Sequence, residues 1–472
     1  MYLCAMQQLQ NGDTICALAT APGTGAIAVL RIAGPAAFQV VNAVFLPPEG
    51  KIAAFENAHP YSIHFGQIHD AGRIVDEVLV SVFKGPRSYT GDDILEISCH
   101  GSEYIQQEIL QLLQRNGARL AEPGEFTLRA FLNGKIDLSQ AEAVADLIAA
   151  RHASAHQAAL QQLRGGYSDT MRRLRQQLID FASLLELELD FAEEDVEFAN
   201  REKLRTLVGE LLREVRQLEG SFSAGNVMKH GVAVLIAGKP NVGKSTLLNA
   251  LLSEERAIVS EIAGTTRDVI EDHLVIQGIR FRFMDTAGIR ETDDSIERIG
   301  VERTLQHAAK SAILVYVCDP AQSDAESLQE EIRQLIQQSG NSNAPVIVVI
   351  NKSDRYSSED LHQRYAPLPE VLLLSAKEGW QLDILKEKLC AAALPLTAVA
   401  GQTTVTNARH AGSLHQAAHA LQKVMGGIDN SLSTDLLAFE LRDAIHHIGR
   451  ITGEVYTEDL LGNIFSRFCI GK

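Results

Sequence analysis

The chain has 472 residues, enough for two to four domains, and a formal net charge of −17. This acidic balance excludes a generally basic nucleic-acid binder, so any RNA contact has to come from a local patch or a partner. Six scattered cysteines without a Cys-x-x-Cys pair argue against a disulfide framework and a structural zinc site, and the apolar runs are too short for a membrane span, so we expect a cytoplasmic protein with no membrane segment.

Residues 1–133 are expected to form a small α+β domain. Apolar runs at 26–32, 74–82 and 94–98 read as strands, and 102–114 reads as a helix. A polar turn at 85–93 separates two of these strands. It could be a binding loop, although most surface connections of this composition bind nothing.

Long helices are predicted for residues 134–230. Segments 140–148, 174–189 and 202–218 carry apolar residues at helical spacing, with an interruption at Gly165-Gly166. Residues 221–229 are interpreted as a linker. The acidic run at 193–197 has no accompanying ligand set, which favours a solvated face over a metal site.

Residues 231–394 alternate strand and helix, as a doubly wound α/β domain does. Strands are predicted at 232–237, 280–284, 312–318, 345–350 and 371–374, with a hairpin turn at Gln277-Gly278. Residues 395–472 return to helix, at 408–425 and 436–451. The α/β domain is therefore expected to be inserted into a helical domain.

Residues 238–245 read Gly-Lys-Pro-Asn-Val-Gly-Lys-Ser and match the phosphate-binding loop pattern in full. They follow an apolar strand and precede a helix, which is the context that such a loop requires. Its glycines allow backbone N–H groups to converge on an anion at the helix N-terminus. Lys244 would then contact the β- and γ-phosphates, and the Ser245 hydroxyl would ligate Mg²⁺.

Two segments after later strands indicate guanine as the base. Asn351-Lys352-Ser353-Asp354 follows one strand, where ligands bind in such sheets, and the Asp354 carboxylate can accept both N–H groups of guanine. Ser375-Ala376-Lys377 follows the next strand and is typical of the backing for guanine O6.

Two further segments fit a γ-phosphate and its metal. Asp285-Thr286-Ala287-Gly288 supplies a carboxylate near Mg²⁺ and an N–H for the γ-phosphate, and Thr266 lies in a segment that can reach Mg²⁺. Many GTPases place a water-orienting Gln after this Asp-Thr-Ala-Gly segment. Here the position holds Ile289, so hydrolysis is very slow or depends on another group.

Motifs along the whole chain resemble those of the MnmE (TrmE) family of tRNA-modification GTPases, within the TrmE-Era-like GTPase superfamily. The resemblance rests on the segments at 22–25, 30–32, 89–93, 123–126, 129–135, 140–143, 257–268 and 285–290, and on the terminal Cys-Ile-Gly-Lys at 469–472. It implies a multidomain fold with an α+β N-terminal tetrahydrofolate-binding-like domain (1–133), an α-helical bundle domain in two parts (134–230 and 395–472) and an inserted Ras-like α/β P-loop GTPase domain (231–394).

The resemblance also implies an activity and partners. The family couples GTP hydrolysis to formation of an aminomethyl or carboxymethylaminomethyl group at C5 of the tRNA wobble uridine. It works as a homodimer with MnmG (GidA), a flavoprotein that carries FAD, in a heterotetramer-type complex. The implied cofactors are GTP, Mg²⁺, K⁺ and 5-formyl- or methylene-tetrahydrofolate.

Site residues follow from the same resemblance. For the folate they are Arg31, Glu96, Lys135 and Lys472. The implied K⁺ ligands are Asn241, Ser260, Ile262 and Thr265, with Ser245 and Thr266 on Mg²⁺. The nucleotide contacts are completed by Val242, Gly243, Thr246, Asp285, Thr286, Ala287, Gly288, Asn351, Lys352, Asp354, Ser375, Ala376 and Lys377.

Two catalytic assignments are implied. Glu297 would orient the attacking water through a bridging water, although its acidic surroundings favour a surface residue. Cys469 would act near the modification chemistry; the alternatives are a buried apolar Cys and a prenylation site, and Gly471 and Lys472 argue against prenylation.

Two other groups of residues invite a functional reading. His415 and His419 lie one helical turn apart but lack a third ligand, so a metal site is not favoured. Arg164, Arg172, Arg173 and Arg175 could touch tRNA phosphate, although a solvated helix face explains them as well.

Two rival functions stay open from the residues. One is an Era-like, GTP-gated ribosome or assembly factor without one-carbon chemistry, which would need neither the Arg31, Glu96 and Lys135 set nor Cys469. The other is an ATPase of related fold, which Asp354 opposes.

Overall fold

The computed structural model describes residues 12–48, 54–190, 201–253, 272–284, 305–309, 311–341, 344–368, 370–397 and 404–471. Two compact units emerge. The first comprises 1–148, 162–200 and 430–472, and the second comprises 149–161 and 201–429. None of the described helices combines the length and the apolar character that a membrane crossing requires.

The strands are β1 Ile15–Leu18, β2 Ile27–Ala33, β3 Phe45–Leu46, β4 Ser62–Asp70, β5 Arg73–Phe83, β6 Ile94–His100, β7 Arg119–Leu120, β8 Val232–Ala237, β9 Asp272–Ile276, β10 Ile279–Met284, β11 Ile313–Cys318, β12 Val346–Ile350 and β13 Val371–Leu373. The helices are α1 Ala37–Asn42, α2 Glu103–Arg115, α3 Glu125–Leu132, α4 Leu138–Ala149, α5 Ala153–Leu163, α6 Gly166–Asp190, α7 Arg201–His230, α8 Lys244–Ser253, α9 Ala325–Ser339, α10 Ser358–Arg364, α11 Leu382–Thr397, α12 Ala408–Asp429, α13 Thr434–Thr452 and α14 Glu458–Phe465.

A seven-stranded sheet dominates the first unit, in the order β3-β4-β5-β6-β2-β1-β7. All its pairs are antiparallel except β1 with β7. Alternation along β5 buries Val78, Val80 and Val82 on one face. On neighbouring β2 and β6, Arg31 and Glu96 stand directly opposite each other, which places them side by side.

Helices α6 and α13 pack against each other in the first unit. Their shared face is aliphatic, because Leu174 and Leu178 of α6 and Leu441 and Ile448 of α13 are fully buried. The helical spacing of these residues is what the sequence predicted for both segments.

The second unit contains a six-stranded sheet in the order β13-β12-β11-β8-β10-β9. Its pairs are parallel except for the β9–β10 hairpin, and β8 and β11 are buried along their whole length. The predicted turn is confirmed, since Gln277 and Gly278 both have positive φ, 51° and 80°. The carboxyl ends of the parallel strands lie at one edge, where the ligand loops follow.

One prediction is wrong: residues 221–229 are no linker but the last turns of α7. Close packing against the segment before α12 explains this. A Cβ on Gly225 would lie 2.0 Å from the Val405 oxygen, the Ser221 hydroxyl accepts the Val405 N–H at 3.0 Å, and Met228 is buried. Tertiary contacts therefore outweigh the weak helix propensity of this Gly- and Ser-containing stretch.

The predicted multidomain fold class is confirmed. It has an α+β N-terminal domain, a helical domain and an inserted α/β P-loop domain, and helices α7 and α12, which flank the insertion in sequence, pack together. The exact boundaries at 133, 230 and 394 stay predictions. The acidic run at 193–197 lies outside the described residues.

Candidate nucleotide site and Arg31–Glu96 site

The phosphate-binding loop joins the buried strand β8 to helix α8, as predicted. Its two key glycines have positive φ, 141° at Gly238 and 99° at Gly243. Added Cβ atoms would lie 2.1 Å from the Val317 oxygen and 2.3 Å from Asn351 Nδ2, respectively. Only glycine fits either place, and the loop keeps the open backbone that an anion needs.

Lys244 is held over this loop. Its Nζ donates to the carbonyls of Gly238 and Lys239, both at 2.7 Å. Burial lowers the pKa of Lys244. Because the ammonium is partly desolvated beside main-chain oxygens alone, an incoming phosphate would supply the missing negative charge.

Two hydroxyls lie in the first turn of α8. Ser245 and Thr246 are exposed there, while Val242 just before them is buried. An exposed hydroxyl beside a phosphate cradle fits a hard cation such as Mg²⁺, which takes oxygen ligands and retains water.

Asn351 connects three predicted motifs. Its Nδ2 donates to the Val242 carbonyl at 2.8 Å, and its Oδ1 accepts the Ala376 N–H at 3.0 Å. The residue is only 2% exposed. Asn351 therefore fixes the base-side loops to the phosphate loop, a structural role that the motif's spacing alone did not reveal.

Lys352 makes a second connection. Its Nζ donates to the Asn241 carbonyl at 2.9 Å and to Asp319 Oδ2 at 2.7 Å. Lys352 has a positive φ of 58°. Asp319 was missed by the sequence reasoning, and its position directly after β11 was the available signal.

The carboxylate that is predicted to select guanine faces solvent. Asp354 is exposed, and a hydrogen bond from Ser375 lowers the pKa of its carboxyl group. Ser375 and Ala376 are buried, whereas the side chain of Lys377 is exposed. An ionised carboxylate facing solvent beside a fixed loop can accept the two N–H groups of a guanine.

Several predicted site residues lie outside the described residues. They are Ser260, Ile262, Thr265, Thr266, Asp285, Thr286, Ala287, Gly288, Glu297 and Lys472. Of the predicted K⁺ ligands only Asn241 is described. It is exposed, with a positive φ of 62° in the phosphate loop.

The first unit brings Arg31 and Glu96 together. Arg31 Nε and Nη2 both lie 2.8 Å from Glu96 Oε1, and the two side chains are 19% and 26% exposed. Arg31 Nη1 also donates to the Gly471 carbonyl at 3.4 Å. The C-terminal segment therefore lies against the Arg31–Glu96 pair.

Two aromatic rings flank the guanidinium. Arg31 Cζ lies 5.6 Å from the Tyr89 ring centroid and 5.5 Å from that of Phe126. Tyr89 Oη lies 2.9 Å from Thr127 Oγ1, and burial raises the pKa of Tyr89. The sequence analysis gave no role to either ring, and for the 85–93 turn it favoured a connection that binds nothing.

Of the other two predicted folate residues, Lys135 is described and Lys472 is not, so the C-terminal segment is described only as far as Gly471. Lys135 Nζ donates to the Pro86 carbonyl at 2.8 Å, which ties it to the turn that carries Tyr89. A Cβ on Gly471, whose φ is 95°, would lie 2.2 Å from the Leu18 oxygen. The tail thus needs glycine at this position to approach β1.

The structure also shows the exposure and pairing of the remaining candidate residues. Cys469 is exposed, so the buried apolar alternative for it is wrong. His415 Nδ1 lies 2.7 Å from Glu219 Oε1, and among the described residues no group of His, Cys, Asp and Glu could hold a metal. Arg172 pairs with Asp137 at 2.8 Å, which favours a structural role for that helix face.

Comparison with known proteins is consistent along the whole chain. Residues 138–469 match the family described as the MnmE helical domain, and residues 14–135 match the one described as GTP-binding protein TrmE N-terminus. A tRNA modification GTPase MnmE of Christiangramia forsetii is 51% identical, with 98% of this chain and 100% of the relative covered. Proteins of the same name from Flavobacterium psychrophilum (50% identical, 98% and 99% covered) and Cytophaga hutchinsonii (51%, 98% and 98%) are similar to the same extent.

Proposed function

We propose, from the premise that the chain belongs to the MnmE family of tRNA-modification GTPases, that it forms the 5-carboxymethylaminomethyl or aminomethyl group on the tRNA wobble uridine. GTP hydrolysis by the inserted domain drives this work. The single observation that best supports GTP as the nucleotide is the arrangement of the phosphate loop, Asn351 and Asp354. A guanine nucleotide with Mg²⁺ satisfies each of these groups at once.

The proposed hydrolysis depends on K⁺. Ile289 stands where many GTPases have a water-orienting Gln, so another source of transition-state stabilisation is needed. A fixed cation beside the γ-phosphoryl group supplies it when water is excluded. Asn241 carries an amide oxygen in the phosphate loop that suits this ion, and Ser260, Ile262 and Thr265 are the other proposed ligands. Glu297 is proposed to orient the water.

The proposed one-carbon donor is 5-formyl- or methylene-tetrahydrofolate, bound in the first unit. Arg31, Lys135 and Lys472 suit carboxylates of the glutamyl tail, and Glu96 suits the N–H groups of a pterin. The partly exposed Tyr89 ring beside the Arg31–Glu96 pair supports this, because flat heteroaromatic ligands stack on such rings. Cys469 is proposed to lie near the modification chemistry.

The proposed partners are a second copy of the chain, tRNA, and MnmG (GidA), which contributes FAD in a heterotetramer-type complex. We place this work in the cytoplasm. The flavoprotein partner would supply the two electrons that a formyl-level one-carbon unit needs to reach the methylene level.

Mass spectrometry of tRNA nucleosides tests the proposal. Cells that lack this protein should lose the 5-substituted wobble uridines, and the wild-type gene should restore them. A gene encoding Asp354→Asn should fail to restore them with GTP as the cellular nucleotide. An unchanged nucleoside profile in the deletion strain would contradict the modification function and favour the assembly-factor alternative.

A further inference from the structure

Side chains hold the main chain of the phosphate loop. Every carbonyl from residue 238 to residue 242 accepts a side-chain hydrogen bond: Gly238 and Lys239 from Lys244, Pro240 from Gln322, Asn241 from Lys352 and Val242 from Asn351. Since the peptide unit is planar, a carbonyl fixed outside the loop turns the following N–H to the other side. The bonds to the Pro240, Asn241 and Val242 carbonyls therefore orient the three following N–H groups. The bond to the Lys239 carbonyl fixes the main chain before Pro240, which itself has no N–H.

The side chain of Lys239 connects the loop to two residues outside it. Its Nζ lies 2.6 Å from Glu331 Oε1 and 2.8 Å from Ser323 Oγ. Glu331 Oε2 accepts the Tyr316 hydroxyl at 2.8 Å, and Ser323 Oγ donates to Glu331 Oε1 at 3.2 Å. Glu331 thus uses both oxygens, and we name Tyr316, Ser323 and Glu331 the brace.

The brace rests on rigid parts of the domain. Tyr316 lies on β11 and is 7% exposed, and Glu331 lies on α9. The Ser323 carbonyl accepts the hydroxyl of fully buried Tyr365 at 2.7 Å. An isolated surface ion pair contributes little, but here Glu331 is fixed at both oxygens by groups that cannot move freely.

We propose that Glu331 is a positioning residue for phosphate binding, acting through Lys239. Glu331 holds the Lys239 side chain and so fixes Lys239 itself. The Lys239 carbonyl in turn accepts a hydrogen bond from Lys244 Nζ. The brace residues lie outside the phosphate loop and the predicted base-binding segments, so their effect would reach the nucleotide through the shape of the loop. This inference rests on the proposed binding of a guanine nucleotide.

Glu331→Gln in the full-length chain tests the proposal. We expect GDP binding to weaken about tenfold, because the charged partner of Lys239 is lost. The ³¹P resonance of the bound β-phosphate should shift, whereas the thermal unfolding midpoint of the nucleotide-free protein should hardly change. Glu330→Gln is the matched control, since Glu330 pairs with Arg333 on the solvent face of the same helix at 2.8 Å.

Two further variants separate positioning from a general loss of structure. Tyr316→Phe removes only the hydroxyl bonded to Glu331 and should weaken GDP binding about threefold. In a Lys239→Met background, Glu331→Gln should add nothing, because the connection is already broken. Additive effects in this double-mutant cycle would contradict the proposed route.

Failure of the inference is distinguishable from failure of the proposed function. A wild-type chain that does not bind GDP would overturn both. Wild-type binding together with equal binding by Glu331→Gln would overturn the inference alone.

Discussion

The nucleotide site and the Arg31–Glu96 site are assembled in different ways. The phosphate loop is eight consecutive residues, and the segments that begin at Asn351 and Ser375 each follow a strand of the same sheet. In the other site Arg31 meets Glu96 across 65 positions of sequence and Gly471 across 440. The first arrangement leaves a motif in the sequence, and the second leaves scattered residues that only a fold brings together.

A single added methyl group should disrupt ligand binding at one site and leave the other site intact. Gly243→Ala should weaken GDP binding by more than about a hundredfold, because the new Cβ collides with Asn351 Nδ2 and the φ of 99° suits glycine. Gly471→Ala should instead abolish the thermal shift with 5-formyl-tetrahydrofolate, since its Cβ would press on the Leu18 oxygen. GDP titration and thermal unfolding measure both effects.

Gly412→Ala is the matched control for these glycine variants. Gly412 lies within α12 with no atom within 4 Å of an added Cβ, so alanine should leave both ligands unaffected. Loss of both ligand responses in either test variant would show general misfolding and would contradict two separate sites.

Asp354→Asn tests how the nucleotide site recognises the base. An amide presents a donor where guanine needs acceptors, so we expect about a hundredfold weaker GDP binding and a gain for xanthosine diphosphate. Asp360→Asn, an exposed carboxylate in the first turn of α10, is the control. Equal GDP affinity of wild type and Asp354→Asn would rule out this role for the carboxylate.

The difference between the sites also marks what could be predicted from sequence. Strand β8 was predicted with its exact bounds, because its residues form one continuous apolar run before a loop of strongly constrained type. Strands β3 and β7 have two residues each and carry no periodic signal. The last turns of α7 depend on contact with Val405, which lies far along the chain.

The candidate sites follow the same rule. Asp354 and Lys244 were predicted from local motifs alone. Tyr89 and Phe126 received no role, because nothing in their neighbourhood in sequence announces that their rings flank Arg31. The Lys239–Glu331 contact could not be predicted for the same reason, because 92 positions of sequence separate the two residues and only the fold brings them together.

Replacing K⁺ by Na⁺ probes the catalytic half of the nucleotide site. We expect GTP turnover to fall about tenfold, because the smaller ion should not match the K⁺ site that is proposed at the Asn241 amide oxygen. Turnover at constant ionic strength is the measurement, and GDP affinity in the same two salts is its control. Equal turnover in K⁺ and Na⁺ would contradict a catalytic K⁺.

Glu96→Gln is the mildest change, and it tests whether the other site recognises a folate by charge. The amide keeps the shape of the side chain but removes the counter-charge of Arg31, so we expect about 1 kcal/mol lower stability and about fivefold weaker 5-formyl-tetrahydrofolate binding. Glu77→Gln on β5 is the control, because Glu77 accepts a hydrogen bond from Gln67 at an exposed place in the same sheet. Calorimetric titration measures folate binding separately from stability. A variant that is less stable but binds the folate as tightly as wild type would show that Glu96 supports Arg31 and does not recognise the ligand.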